Sequence, residues 1–197
     1  SQAMLKALEK KGYGYPTTIQ AEAIPCFLQW KDVIAKAPTG TGKTFAFGIP
    51  MIEHVDPESP DVQGLILAPT RELAMQTAGE LMKLGRHRAG LMVVPVYGGQ
   101  PIAKQMNQLK RRPQIVVATP GRMLDHMHRG TARLGAVHTL VIDEADEMLK
   151  MGFVQDVCKI IEAIPSGRKP KSRLPHWSTC AVASPPCVKN PARLSDM

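Results

Sequence analysis

The chain has 197 residues, of which 44% are hydrophobic, and a formal net charge of +8. This length and composition fit one globular domain with a sizeable core and exclude a chain that is disordered throughout. No apolar run approaches the ~18 residues that a membrane-spanning helix needs, and we expect neither a signal peptide nor a membrane partner. Cysteines at positions 26, 158, 180 and 187 show no zinc-ligand spacing and no disulfide framework, so we expect a reducing, cytoplasmic location.

Short apolar runs alternate with helical patterns along residues 1–167. An amphipathic helix at the start is followed by predicted strands at 32–37, 64–69, 91–97, 114–119 and 138–143, and by predicted helices at 18–29, 42–54, 71–86, 101–110, 120–128 and 153–164. The runs are rich in Val, Ile and Leu and lack alternation, which is typical of parallel strands buried on both faces. The sequence therefore predicts an α/β domain, with helices on both faces of a mostly parallel sheet.

The composition changes after Gly167. Residues 168–197 contain five prolines, six basic residues and one acidic residue, which leaves a net charge of only +3 for residues 1–167. Net charge is therefore a weak argument for a nucleic-acid partner. We predict an irregular, basic, Pro-containing tail at 168–197, disordered by composition. The segment STCAVAS (178–184) is its one candidate strand.

The segment APTGTGKT (37–44) follows the first predicted strand and opens a predicted helix. This context is typical of a phosphate-binding loop, whose glycines let backbone N–H groups surround an anion at a helix N-terminus. The lysine would reach the β- and γ-phosphates of a nucleotide, and the last threonine would hold Mg²⁺. The candidate residues are Thr39, Gly40, Thr41, Gly42, Lys43 and Thr44.

The segment HTLVIDEAD (138–146) places two carboxylates directly after a buried strand. Asp143 is a candidate ligand of Mg²⁺ beside Thr44, because ligands of α/β sheets bind at the carboxyl ends of the strands. Glu144 is a candidate for orienting and polarising an attacking water. Asp146 and Glu147 are equally well explained as carboxylates that stabilise a helix N-terminus.

Residues 143–146 spell DEAD, and other segments match the same family in its order. GYGYPTTIQ (12–20), PTRELA (69–74), YGGQ (97–100) and TPGR (119–122) resemble motifs of the N-terminal RecA-like domain of DEAD-box RNA helicases. The resemblance covers roughly residues 1–168. It implies a RecA-like P-loop domain at 1–167 that belongs to an ATP-dependent RNA helicase, an ATP hydrolase, with ATP and Mg²⁺ as cofactors.

The resemblance also assigns an adenine site. It implies that Gln20 selects ATP, and a glutamine amide can donate and accept at the adenine edge at once. Tyr13 fits either packing against the base or a place in the core. Asp146 would face a second RecA-like domain, which this chain lacks.

Three segments that follow predicted strands would bind the RNA backbone without reading its sequence, by resemblance. Hydroxyl groups, guanidinium groups and bare N–H groups suit phosphate and 2′-OH contacts. TPGR by itself would also fit a helix start with proline in the first turn. The RNA candidates are Pro69, Thr70, Arg71, Gly98, Gly99, Thr119, Pro120, Gly121 and Arg122. His126 and His128, two positions apart on a predicted helix, are expected at the surface and not at a metal.

Three features of the family are missing where they are expected. These are an aromatic residue upstream of the glutamine motif, a strand with a Ser-Ala-Thr motif, and the second RecA-like domain. KPKSRLPH (169–176) replaces that strand, and its prolines and charges do not suit a central strand, while AVAS (181–184) lies at the wrong spacing. We therefore expect open edges in the sheet. An isolated nucleotide-binding fragment without significant helicase or ATPase turnover is the alternative function.

Overall fold

A computed structural model describes residues 1–10, 12–38 and 40–164, together with the backbone of 178–183. The helices are α1 (Gln2–Glu9), α2 (Thr18–Leu28), α3 (Lys43–His54), α4 (Arg71–Leu84), α5 (Ile102–Leu109), α6 (Pro120–His128), α7 (Ala145–Lys150) and α8 (Val154–Glu162). The strands are β1 (Val33–Lys36), β2 (Gly64–Leu67), β3 (Val93–Val96), β4 (Ile115–Ala118), β5 (Thr139–Asp143) and β6 (Ser178–Ala183). Among the described residues, no helix is long and apolar enough to cross a membrane.

The strands form one six-stranded sheet in the order β1-β6-β5-β2-β4-β3. Every pairing is parallel, which confirms the predicted α/β class. In such a sheet all strands end at the same side, here called the carboxyl edge, and all begin at the opposite side, the amino edge. The carboxyl edge is the side at which α/β folds bind ligands.

Strands β2, β4 and β5 are buried at every residue, which explains why their sequences do not alternate between apolar and polar residues. In β2, Leu65 and Leu67 belong to the hydrophobic core on one face of the sheet. Ile66, between them, belongs to the core on the other face, where it meets Phe27 and Phe47. Two cores of comparable extent therefore fix the strands between layers of helices.

The tail contributes a strand to the middle of the sheet. β6 pairs with β1 on one side, where Val33 lies opposite Cys180, and with β5 on the other, where Asp143 lies opposite Val182. The expected open edges beside a missing strand are therefore wrong, because the candidate strand at 178–184 fills that place. The division at residue 167, and the prediction of disorder, stay predictions for the rest of the tail, which lies outside the described residues.

The amino edge carries a cluster of rings. The indole of Trp30 stacks on the imidazole of His54 with centroids 3.8 Å apart and planes 8° apart. It also meets the ring of His138 edge-on, at 5.2 Å and 72°. Burial lowers the pKa of His54, and burial followed by repulsion from His54 lowers the pKa of His138 to about 4. Both rings are therefore neutral at physiological pH.

Candidate functional site

The segment between β1 and α3 forms a tight loop at the carboxyl edge. Gly40 and Gly42 have φ angles of +83° and +86°, which favour glycine. The hydroxyl of Thr41 donates to the carbonyl oxygen of Pro38 at 2.7 Å and closes the turn. Helix α3 begins at Lys43, so its first N–H groups lack partners within the helix, as a phosphate-binding loop requires. Thr39, also predicted in this loop, lies outside the described residues.

Lys43 and Asp143 bring opposite charges to the same buried place. Lys43 is 8% exposed and Asp143, the last residue of β5, is 4% exposed. Burial, and then the nearby charge of Glu144, raise the pKa of Asp143 to about 6, although the charge of Lys43 acts in the opposite direction. The carboxylate is thus poorly compensated, and an added cation would favour its charged form.

The donor set fits Mg²⁺. The buried carboxyl group of Asp143 and the half-buried hydroxyl group of Thr44 supply oxygen atoms, the ligands that Mg²⁺ prefers. No group of three or more His, Cys, Asp or Glu side chains suited to a metal occurs in the described part of the chain. Mg²⁺ sites with one or two carboxylates, completed by phosphate oxygens and waters, need no such group.

Glu144 has an unusual backbone conformation. Its φ of 52° and ψ of 50° lie in the left-handed region, and it precedes the short helix α7, which sequence patterns did not predict. Asp146 and Glu147 lie in the first turn of α7, as expected for carboxylates at a helix N-terminus. The role of Asp146 toward a second domain stays a prediction.

One cavity of about 540 Å³ joins these groups. Its walls come from the loop after α1, the start of α2, the phosphate-binding loop, helix α4 and the end of β5. Of the predicted residues, Tyr13, Gln20, Gly40, Gly42, Lys43, Thr44, Asp143 and Glu144 line it. Sequence motifs did not indicate the lining residues of α4, namely Leu73, Gln76, Glu80 and Lys83, because their shared face emerges only once α4 is placed beside the loop.

Gln20 connects the start of α2 to the phosphate-binding loop. Its Oε1 accepts from the backbone N–H of Thr17 at 3.1 Å, and its Nε2 donates to the carbonyl oxygen of Gly42 at 3.1 Å. One N–H and one lone pair of the amide are left for a base. Tyr13 is 50% exposed and packs edge-on against Phe45 at 4.9 Å, so it lies at the cavity and not in the core. Its contact with a base stays a prediction.

The three predicted RNA-binding segments follow β2, β3 and β4 at the carboxyl edge. These strands are neighbours in the sheet, in the order β2-β4-β3, so the segments lie side by side. Thr70 caps α4 by accepting from the N–H of Leu73 at 3.2 Å. α6 begins with Pro120 in its first turn, so the helix-start interpretation of TPGR holds locally and leaves the RNA role open.

The guanidinium groups of these segments are held by specific contacts. Arg71 lies over the ring of Tyr97 at 5.2 Å from its centroid. Arg122 donates through Nη1 to the carbonyl oxygen of Gln100 at 2.9 Å and to Oε1 of Gln105 at 3.1 Å. Gly99 has a φ of +80°, and a Cβ there would lie 3.3 Å from Nη1 of Arg71. The glycine pair thus allows a turn close to an arginine.

The surface prediction for His126 is wrong. His126 is 0% exposed, and its ring bonds to Thr131 at 2.8 Å and to Gln105 at 3.1 Å. The spacing argument correctly separated His126 from the exposed His128, but it could not tell which of the two is buried against α5. Gln105, also 0% exposed, belongs to none of the predicted motifs.

Comparison with known proteins gives one family. The family model described as DEAD/DEAH box helicase matches residues 17–184. The chain is 52% identical over 166 residues to the DEAD-box ATP-dependent RNA helicase CshA of Bacillus subtilis, and 52% identical over 169 residues to that of Geobacillus kaustophilus. These alignments cover 84% and 86% of this chain but 33% and 36% of the relatives. The chain therefore spans about a third of the length of the curated relatives it matches.

Solved structures agree with this result. A DEAD box protein from Methanococcus jannaschii matches with a TM-score of 0.85 and 39% identity, over 100% of this chain and 50% of that one. A hypothetical ATP-dependent RNA helicase from Sulfolobus tokodaii matches with a TM-score of 0.79 and 35% identity, over 93% of this chain and 50% of that one. The matched structures thus contain further chain beyond the part that resembles this one.

Proposed function

The chain belongs to the DEAD/DEAH-box helicase family, and we propose that it is the ATP- and RNA-binding RecA-like domain of an ATP-dependent RNA helicase. The observation that supports this most strongly is the common cavity of about 540 Å³. Eight of the predicted adenine, phosphate and metal residues come from distant parts of the sequence and line the same space, whereas Thr41 is not among its lining residues. The cytoplasmic location stays a prediction.

ATP would bind with its phosphates at the start of α3. Lys43 is buried in the cavity wall, where a cation interacts more strongly with phosphate than it would in water. Thr44 and Asp143 would hold Mg²⁺, which when bound neutralises charge on the β- and γ-phosphates. Gln20 would use its remaining N–H and lone pair on adenine, which gives ATP an advantage over GTP.

Glu144 is the candidate for orienting the water that attacks the γ-phosphate. It lines the same cavity as Lys43 and Thr44 and directly follows the proposed metal ligand. Its left-handed backbone conformation costs energy for a residue other than glycine, and such strain is common at functional sites. We propose that this conformation directs its carboxylate toward the cavity.

RNA would bind at the carboxyl ends of β2, β3 and β4. The segments there offer arginine side chains, hydroxyl groups and bare backbone, which suit phosphate and 2′-OH groups and carry no sequence preference. The contacts of Arg71 with Tyr97 and of Arg122 with Gln100 still leave donors on both guanidinium groups for phosphates.

The alternative, a nucleotide-binding fragment without significant turnover, concerns the behaviour of these 197 residues by themselves. The alignments cover about a third of the curated relatives. An arginine contributed by a second domain raises phosphoryl-transfer rates by roughly 10³–10⁵-fold. We propose that the chain binds ATP·Mg²⁺ and RNA and depends on such a partner domain for efficient hydrolysis.

The test measures nucleotide binding and hydrolysis on the chain of 197 residues. A fluorescent ADP analogue reports nucleotide affinity, with GTP and ATP as competitors, and phosphate release reports turnover with single-stranded RNA, with DNA of the same sequence, or with neither. The variants are Lys43→Ala and Glu144→Gln. Lys31→Ala, which removes an exposed lysine before β1, is the matched control.

We expect Mg²⁺-dependent binding of adenine nucleotides that Lys43→Ala weakens at least tenfold and that Lys31→Ala does not change. Glu144→Gln keeps binding. Little turnover supports the fragment alternative, whereas RNA-stimulated turnover that both site variants abolish shows that the chain is active alone. Absence of nucleotide binding, or equal weakening by both lysine variants, would refute the proposal.

A further inference from the structure

A layer of two side chains lies beneath the proposed RNA-binding segments. Tyr97, directly after β3, is 7% exposed, and Gln105, in α5, is 0% exposed. Neither offers an accessible surface to RNA. Both side chains nevertheless contact the segments that are proposed to bind RNA.

The amide of Gln105 has one orientation in this environment. Its Nε2 donates to the carbonyl oxygen of Tyr97 at 2.8 Å, an atom that can only accept. Its Oε1 therefore faces the other side, where it accepts from Nη1 of Arg122 at 3.1 Å. The opposite orientation would place an NH₂ group against a guanidinium group and an oxygen against a carbonyl. One buried amide thus joins the end of β3 to the start of α6.

Oε1 of Gln105 also determines which ring nitrogen of His126 carries a hydrogen. Nε2 of His126 lies 3.1 Å from Oε1 of Gln105, which has no hydrogen to give, so Nε2 must carry one. Burial, and then the positive charge of Arg122, lower the pKa of His126, so the ring is neutral with Nδ1 as an acceptor. Nδ1 lies 2.8 Å from the hydroxyl of Thr131, whose single hydrogen is within reach both of Nδ1 and of the backbone carbonyl oxygen of His126, at 3.0 Å. The geometry therefore predicts one tautomer.

Tyr97 extends these contacts to the third segment. Its carbonyl oxygen is bound by Gln105, and its ring lies beneath the guanidinium of Arg71 at 5.2 Å. Gly98 and Gly99 follow it directly. Arg71, Tyr97, Gln105 and Arg122 thus form a continuous chain of contacts, here called the support chain, that touches all three proposed RNA-binding segments.

We propose that Gln105 is a positioning residue for RNA binding, which holds Arg122 and the turn after β3 in the arrangement that fits the RNA backbone. This inference rests on the proposed RNA-binding function of these segments. Gln105 touches no RNA itself; it fixes where the donors of its neighbours point. Such preorganisation raises affinity by removing the cost of ordering side chains on binding.

If Gln105 contributed to stability alone, the expected result would be different. Its loss would reduce the stability of the whole domain and leave the RNA affinity of the folded molecules unchanged. A positioning residue instead changes RNA affinity, leaves nucleotide affinity unchanged, and loses the part of its effect that acts through Arg122 once Arg122 is removed. Non-additivity of this kind is the mark of residues that act through one another.

The experiment uses the chain of 197 residues with fluorescently labelled single-stranded RNA at low salt, and measures the dissociation constant by anisotropy. The variants are Gln105→Met, Arg122→Ala and the double variant. Gln108→Met, in the same helix, is the matched control, because Oε1 of Gln108 has no hydrogen-bond partner among the described residues. A fluorescent ADP analogue and thermal unfolding are measured on each.

We expect Gln105→Met to weaken RNA binding about tenfold, Gln108→Met to leave it within twofold, and neither to change nucleotide affinity. In the Arg122→Ala background, Gln105→Met has a smaller further effect, because Gln105 then holds only the turn after β3. Unchanged RNA affinity of Gln105→Met, or a full additional loss in the double variant, would overturn the proposal.

A second measurement needs neither RNA nor a variant. Long-range ¹H–¹⁵N NMR correlations identify the tautomer of His126, expected to carry its hydrogen on Nε2 with the resonance shifted in Gln105→Met. A hydrogen on Nδ1 in the wild-type chain would show that Gln105 does not face Arg122 as described, and would overturn the inference. If the wild-type chain binds no RNA, the proposed function fails, and the tautomer alone decides whether Gln105 holds this arrangement.

Discussion

At the scale of single residues, Asp143 and Lys43 show the energetic cost of burying charged side chains in the proposed binding site. The pKa of Asp143 is raised to about 6 chiefly by burial, so at neutral pH the protein keeps a charge where a neutral group would be more stable. A buried charge of this kind is more often found in a functional site than in a structural core. On the proposed function, a bound Mg²⁺ would offset this energetic cost.

We expect Asp143→Asn to stabilise the ligand-free chain. The folded pKa lies above the unfolded value of 3.8, so the ionised carboxyl lowers stability at pH 7.5, and this effect disappears below pH 3.8. Neutralising it should raise the free energy of unfolding by about 3 kcal/mol at pH 7.5, because the shift from 3.8 to about 6 is worth 1.36 kcal/mol per pKa unit. Urea unfolding measures this, beside Asp61→Asn as an exposed control. Loss of stability at pH 7.5 would contradict it.

At the scale of elements, the close packing of α3 on α4 depends on one glycine. A Cβ on Gly48 would lie 2.6 Å from Cδ2 of Leu81, whose side chain is 0% exposed. Gly79, also within a helix, faces open space, and a Cβ there would meet nothing within 4 Å. The two glycines have the same backbone role but different neighbours.

Alanine should therefore act in opposite directions at these two positions. Gly79→Ala gains about 0.5–1 kcal/mol of stability, because alanine loses less backbone entropy in a helix. Gly48→Ala loses about 1–3 kcal/mol, because the packed side chain must move. Thermal unfolding of both variants at one pH checks this. A gain at both positions would mean that Leu81 moves aside without cost.

The elements themselves were predictable from the sequence, and contacts between them were not. Runs such as 64–69 and 114–119 predicted buried strands, because burial on both faces leaves a signal in every residue. The short helix α7 gave no such signal, and the burial of His126 depends on which face of α6 packs against α5. Gln105 belongs to no motif, since its importance comes from partners that are distant in sequence.

In the candidate site, too, some features could be predicted from the sequence and others could not. The residues that form the loop and its acidic partner follow from local spacing, because a strand end and a helix start fix where they lie. Sequence spacing does not predict the two hydrogen bonds of Gln20 with Thr17 and Gly42. It also does not predict that residues of α4 line the cavity. Both require the tertiary packing of helices on the sheet.

At the scale of the whole molecule, the two edges of the sheet respond differently to pH. The ring cluster of Trp30, His54 and His138 lies at the amino edge, opposite the cavity. Because the pKa of His138 is lowered to about 4 from 6.5, the unfolded chain binds a proton more readily than the folded one between these values. Stability present above pH 6.5 is therefore lost as the pH falls toward 4.

Replacing the titrating ring should reduce this acid sensitivity. We expect His138→Phe to lose less stability than wild type between pH 7.5 and pH 4.5, with a difference of about 2–3 kcal/mol at 1.36 kcal/mol per pKa unit. His54 and Glu53 remain in the variant, so part of the acid response persists. Urea unfolding over this range measures the difference. His128→Phe, at an exposed position, should follow wild type, and parallel curves for all three proteins would contradict the assignment.

The central place of β6 can be tested through its backbone. Proline lacks an N–H group and is tolerated only at edges of sheets, so Cys180→Pro should cost about 3 kcal/mol or more. Cys180→Ala keeps the N–H and serves as the control. Equal unfolding midpoints for the two variants would place Ser178–Ala183 outside the sheet.

The strand order also determines when β1 can join the sheet during synthesis on the ribosome. β1, which leads into the phosphate-binding loop, joins the sheet only through β6, and β6 is translated after all the other strands. Pairing between segments so far apart in sequence forms slowly, because a long loop must close first. During translation the nascent chain would therefore hold β1 unpaired, as a segment that chaperones could recognise, until β6 leaves the exit tunnel. The capacity to bind nucleotide would then appear late and all at once.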